Sequence, residues 1–241
     1  MAEPHTPQEW LAALPVKVEQ TLLGYDVSRD DIAELCAVAA REHFFAVVVN
    51  PTHIRYARER LAGTAVRAIT VIGFPLGANT KAVKVFETRD ALGRGAEEFD
   101  MVMNISAFTH GYYDFVRGEI AEVVAAAEGR PVKVIIECGA LTNDQKKTAA
   151  DIAAAAGARM VKTSTGFGPG GATEEDVRLL RKALGETVGI KASGGIRSYE
   201  RAINLIMAGA DRVGTSSGVV IMEGLRYAVK AGRLGAALGV K

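Results

Sequence analysis

The chain has 241 residues, a net charge of +1, 49% hydrophobic and 24% charged residues. This length suits a single α/β domain. The near-zero charge, with only 6% aromatic residues, argues against a nucleic-acid partner. Two cysteines, Cys36 and Cys138, give no disulfide framework and fit a reducing compartment. No apolar stretch is long enough to span a membrane, and Met1–Pro7 has neither the basic nor the apolar region of a signal peptide. A cytoplasmic protein with no membrane partner is therefore expected. His5, His43, His53 and His110 are scattered, so the spacing supports no metal site.

In chain order, residues Thr6–Leu14 read as an extra helix ahead of the first strand. Eight short β-branched runs follow: Val16–Leu23, Ala46–Asn50, Val66–Ile72, Phe99–Ile105, Val132–Glu137, Met160–Lys162, Gly189–Ala192 and Arg212–Gly214. Several, such as Val47-Val48-Val49 and Val134-Ile135-Ile136, are apolar throughout, as strands covered on both faces are. Helices lie between them. Ser28 with Asp31 predicts a capping box, followed by the stripe Ile32, Leu35, Cys36 and Ala39. Thr142 opens a helix with Ala149, Ile152, Ala153 and Ala156 on one face. Thr173 opens another, closed by Gly185, and Ser198–Ala208 is closed by Gly209. Eight strand–helix units without a linker predict one domain over residues 1–241, an α/β (β/α)8 TIM barrel. An open doubly wound sheet is the alternative architecture.

In such barrels the chemistry sits at the C-terminal strand ends. Lys162 and Lys191 each end a strand, 29 residues apart, about one repeating unit. That spacing puts two ammonium groups side by side on adjacent strands. At about 4 Å and an effective dielectric near 20 they repel by about 4 kcal/mol, roughly three pKa units, and burial acts in the same direction. One amine is then neutral near pH 7 and can attack a carbonyl. Asp100, on the fourth strand, is the counter-charge that holds the other amine protonated. Glu19 and Thr21 on the first strand, Asn104 on the fourth and Glu137 ending the fifth are candidates for substrate contact or support.

The loops after strands six, seven and eight are built of small residues. Gly166, Gly194, Gly195, Ser216 and Ser217 are the candidate phosphate ligands, because glycine loops leading into helices bring N–H groups close to an anion. Gly166, Gly168 and Gly171 also match G-x-G-x-x-G, but the motif stands in the sixth unit and the next strand ends in Lys191 rather than an acid. A dinucleotide site is set aside on that ground.

Five segments, in order, carry a resemblance: Val71-Ile72-Gly73-Phe74-Pro75-Leu76-Gly77, Phe99–Ile105, Val161–Phe167, Lys191–Arg197 and Gly214–Ser217. Together they make the chain resemble the deoxyribose-phosphate aldolase family over nearly its whole length. The resemblance implies a class I aldolase that needs no metal or organic cofactor. It implies reversible cleavage of 2-deoxyribose 5-phosphate to glyceraldehyde 3-phosphate and acetaldehyde. Lys162 would form the Schiff base, Lys191 would lower its pKa and relay protons, and Asp100 would exchange protons through water. The partners implied are small phosphosugars and aldehydes, and self-association is left open. Another Schiff-base aldolase or a non-catalytic phosphosugar-binding barrel is the competing reading.

The chain departs from the family pattern at four places. Glu19-Gln20 replaces an Asp-His or Asp-Leu pair, Val48 replaces a cysteine, and Glu137-Cys138-Gly139 replaces Glu-Thr-Cys. The terminus, Val240-Lys241, lacks the tyrosine with which some members reach the site.

Overall fold

The computed structural model describes residues 6–232. Met1–His5 and the terminal Val240-Lys241 lie outside the described residues. Eight parallel strands close into a barrel in sequence order. They are β1 (Val18–Leu22), β2 (Ala46–Val49), β3 (Arg67–Ile72), β4 (Glu98–Val102), β5 (Val132–Ile135), β6 (Met160–Lys162), β7 (Gly189–Ser193) and β8 (Arg212–Thr215). β8 pairs back onto β1 through Glu19 opposite Gly214.

Ten α-helices accompany the strands among the described residues: α1 (Pro7–Ala13), α2 (Arg29–Arg41), α3 (Ile54–Arg60), α4 (Lys81–Gly93), α5 (Ile105–Thr109), α6 (Tyr113–Ala126), α7 (Asn143–Ala155), α8 (Glu174–Leu184), α9 (Tyr199–Met207) and α10 (Gly218–Lys230). The extra N-terminal helix is α1, with Thr6 and Glu9 forming its capping box. Ser28 and Asp31 do the same for α2, and Thr142 with Gln145 for α7. None of these helices is long and apolar enough to cross a membrane.

The ends of two predicted strands differ from expectation. β4 stops at Val102, and Asn104, expected on the strand, instead caps α5 by accepting from the Ala107 N–H. Asparagine satisfies a helix's free N–H groups better than it fills a strand. β5 stops at Ile135, and Glu137 takes a left-handed conformation (φ 56°) that breaks the extended chain.

Strand alternation gives two interiors. Outward residues such as Val47, Val134 and Val161 join the large apolar layer under the helices. Inward residues fill the barrel in two sectors. Ala46, Val48, Ile69 and Val71 form a small apolar cluster across β2 and β3. The rest of the barrel, from β4 round to β1, is ionic: Glu19, Glu98, Asp100, Lys133, Lys162 and Lys191 are all buried. A charge in such a place persists only when it is paired.

Candidate active site

The parallel register sets Lys162 directly opposite Lys191 on β6 and β7, and Asp100 opposite Lys133 on β4 and β5. Asp100 is the hub. Its Oδ2 accepts from Lys162 Nζ at 2.9 Å and from Lys191 Nζ at 2.6 Å. Its Oδ1 accepts from Lys133 Nζ at 3.1 Å. Three ammonium neighbours outweigh the effect of burial and hold the Asp100 carboxyl well below the usual carboxylate range.

The three amines differ in how well they are compensated. Lys133 also meets Glu98 at 2.6 Å and Glu19 at 3.5 Å, and its pKa is raised. Lys191 also donates to Glu19, which Arg212 reaches at 3.2 Å from the other side. Burial alone would raise the Glu19 carboxyl, but Lys133 and Lys191 bring it below its ordinary value. Among the described residues Lys162 has Asp100 as its one ion-pair partner. Burial pushes its amine down to about 8; Asp100 opposes the shift and Lys191 adds to it. Burial is thus a larger cause than the like-charge repulsion read from the spacing.

Lys162 is also the amine that meets open space. It lies at the floor of a cavity of about 310 Å³ with Thr21, Gly166, Gly194, Gly195 and Ser216 among its walls. Lys191 is fully buried beneath, with Glu19 and Asp100. The lower part of the cavity therefore offers an amine, and the upper part a rim of small residues. Here the β6 and β7 loops touch backbone to backbone. Ala172 N–H donates to the Gly194 carbonyl at 3.1 Å, and a Cβ at Gly171 would stand 2.5 Å from that oxygen. Only glycine permits such an approach.

The remaining candidates have other surroundings. Glu137 clamps the loop after β6: its Oε2 accepts from Thr165 Oγ1 at 2.5 Å and from the Thr165 N–H at 3.2 Å. Asn104 lines a separate, open groove beside Tyr112 and Phe115. Ser216 lines the cavity, whereas the Ser217 N–H is taken by Thr215 Oγ1 at 2.9 Å. Gln20, part of the unusual strand-one pair, donates to the Ser216 carbonyl and accepts from the Gly218 N–H, tying β1 to the start of α10. Cys138 is buried, and its thiol pKa is raised by burial.

Sequence reasoning missed four charged members. Lys133, Glu98 and Arg212 complete the ionic sector, and the exposed Arg197 lines the cavity rim beside Gly195. Lys133 carried a usable signal. Its strand is covered on both faces, so a lysine there has no solvated side and requires an internal partner. Among the described residues no cluster of His, Cys, Asp and Glu is placed to hold a metal ion.

Comparison with known proteins agrees with this architecture. The family model described as DeoC/LacD family aldolase matches residues 16–239. A deoxyribose-phosphate aldolase of Dictyoglomus turgidum is 52% identical over 212 residues, covering 88% of this chain and 97% of the relative. One from Thermococcus gammatolerans is 52% identical over 215 residues, covering 88% and 96%. The solved deoxyribose phosphate aldolase of Aeropyrum pernix, described as a tetramer, superposes with a TM-score of 0.82 at 34% identity, covering 92% of each chain.

Proposed function

This chain belongs to the DeoC/LacD family of aldolases, and from that premise we propose how its barrel mouth does the work of a deoxyribose-phosphate aldolase. The enzyme is a lyase that reversibly cleaves 2-deoxy-D-ribose 5-phosphate to D-glyceraldehyde 3-phosphate and acetaldehyde through a lysine Schiff base. The single observation that carries the residue assignment is the exposure of one poorly compensated amine, Lys162, to the cavity.

Neutral Lys162 Nζ attacks C1 of the open-chain sugar. Loss of water leaves an iminium, which draws the electrons of the C2–C3 bond toward nitrogen as the C3 hydroxyl gives up its proton. Glyceraldehyde 3-phosphate departs, leaving an enamine on Lys162. Protonation at C2 and hydrolysis then release acetaldehyde. Lys191 is the reservoir of protons, and Asp100, shared by both amines through Oδ2, is the exchange point. Asp100 also stabilises the cationic iminium where it forms. Glu19 and Lys133 keep Asp100 and Lys191 in place.

The phosphate lies in the rim formed by Gly166, Gly194, Gly195 and Ser216, with the Arg197 guanidinium as its counter-charge. Ser217, its N–H engaged by Thr215 Oγ1, supports the rim from the start of α10 rather than giving that N–H to the anion. Thr21 faces the sugar from the cavity wall, Glu137 shapes the loop through Thr165, and Asn104 fixes the chain that follows β4. The chain works on small molecules in the cytoplasm, a setting in keeping with its two free, buried cysteines. It also assembles with copies of itself, as the tetrameric relative suggests.

The test is reductive trapping. Borohydride added in the presence of acetaldehyde, followed by peptide mass spectrometry, yields an ethyl group on Lys162. An adduct on Lys191 instead, or on no lysine of the barrel, refutes the assignment. A barrel that merely bound phosphosugars would give none.

A further inference from the structure

Phe74 and Phe167 come from loops three strands apart and meet over the mouth of the barrel. Their ring centres are 5.4 Å apart and their planes nearly perpendicular, at 89°. The Phe74 ring centre lies 6.0 Å from Lys162 Nζ, at the outer range of a cation–π contact. Phe167 also lines the cavity.

Each ring is held by its own clamp. Phe74 follows Gly73, whose φ is 63° and where a Cβ would stand 2.7 Å from the Lys84 side chain. Lys84 is fixed in turn by Glu119 at 2.8 Å and the Val102 carbonyl at 2.9 Å. Phe167 donates its N–H to Thr165 Oγ1 at 3.0 Å, and that hydroxyl is bound to Glu137. Phe167 is nevertheless 62% exposed, so its ring contributes little to the core.

We propose that Phe74 and Phe167 form a roof over Lys162 that sets donor specificity, admitting acetaldehyde as the aldol donor and rejecting donors that carry a further substituent at C2. The proposal rests on the Schiff-base reading of Lys162 and adds a specificity element to it. A two-carbon iminium extends about 2.5 Å from the nitrogen. Carbon–carbon contact with the ring takes a further ~3.5–4 Å. Together these fill the 6.0 Å between the amine and the Phe74 ring centre. The remainder of the sugar runs the other way, into the cavity toward Gly194 and Ser216. A methyl group added at C2 therefore meets an aromatic ring. The roof also limits access of water to the iminium.

The test is competition. Wild type, Phe167→Ala and Phe74→Leu are each given glyceraldehyde 3-phosphate with equimolar acetaldehyde and propanal. The ratio of deoxyribose 5-phosphate to its 2-methyl homologue is then read by mass spectrometry. One methylene in a fitted apolar pocket is discriminated by about 10–200-fold. The wild type should favour the unsubstituted product accordingly, and the ratio should fall at least about fivefold in either variant. A ratio that falls less in the folded variants overturns the proposal, because rings that only pack would not move it. Should Phe74→Leu fail to fold, Phe167→Ala decides alone. Failure of wild type to trap acetaldehyde at Lys162 would instead refute the Schiff-base reading.

Discussion

Replacing Lys191 by methionine removes a buried positive charge while keeping most of the side-chain volume. Lys162 and Lys191 donate to the same Asp100 oxygen, from 2.9 and 2.6 Å, so their nitrogens are at most about 5.5 Å apart. At roughly 5 Å and an effective dielectric near 20, their repulsion is about 3 kcal/mol, or roughly two pKa units on Lys162. Asp100 and Glu19 neutralise part of Lys191's field, so an upward shift of about 1–2 units is expected. Loss of Lys191 also leaves Asp100 freer to stabilise protonated Lys162, which acts in the same direction.

With Lys162 at about 8, close to one amine in ten is neutral near pH 7. A rise of one to two units lowers that fraction about 10–100-fold. The loss should be regained as pH rises past the new midpoint. Turnover would mix this effect with loss of the proposed proton relay, so the better assay is the rate of Schiff-base trapping with acetaldehyde across the pH range. The midpoint for Lys191→Met should lie about 1–2 units above wild type. Lys191→Arg, which keeps the charge, should stay nearer to wild type. An unmoved midpoint in folded Lys191→Met would refute the electrostatic coupling and leave burial as the sole cause of the Lys162 shift.

Two other outcomes are expected. Lys162→Met should abolish Schiff-base formation yet raise stability near neutral pH by about 1–3 kcal/mol, because the folded chain otherwise confines a proton on a buried amine. The sign follows from the folded value of about 8 against an ordinary 10.5: between those values the unfolded chain binds more protons, so wild-type stability from this group rises with pH. Denaturant unfolding near pH 7 and 10 should show the variant's advantage shrinking; a variant less stable than wild type at pH 7 contradicts the argument. Arg197→Ala should lower the ratio of kcat/KM for deoxyribose 5-phosphate to that for unphosphorylated deoxyribose by about tenfold or more. An unchanged ratio would remove Arg197 from the phosphate site.

The barrel was legible because its signals are local: β-branched runs, capping residues and terminal glycines recur once per unit. The lysine pair was legible for a related reason. In a parallel barrel with units of equal length, equal position in the repeat means adjacent position in space, as the Lys162–Lys191 register shows. Other features depend on contacts between distant loops. Nothing in Phe74 or Phe167 alone announces that their rings meet, since the contact requires the closed barrel and two separate clamps. Asn104 was misplaced because an apolar run continues past the true end of β4 into a helix start.

The missed charges explain what the lysine pair alone left open, namely which amine loses its proton. In the ionic sector, Glu19, Glu98 and Asp100 face Lys133, Lys162, Lys191 and Arg212, so four cations share three carboxylates. Arg67 meets Glu98 from the more exposed side and adds to the positive excess. The buried charges themselves balance, three carboxylates against three amines, and the surplus lies with Arg212 and Arg67 at the part-exposed edge; burial then favours release of a proton from the least compensated base. Arginine does not release one under ordinary conditions. Among the described residues Lys133 has three carboxylate neighbours, Lys191 two and Lys162 one. The amine with the fewest carboxylate partners is thus the one that faces the cavity, Lys162, the residue proposed as the nucleophile.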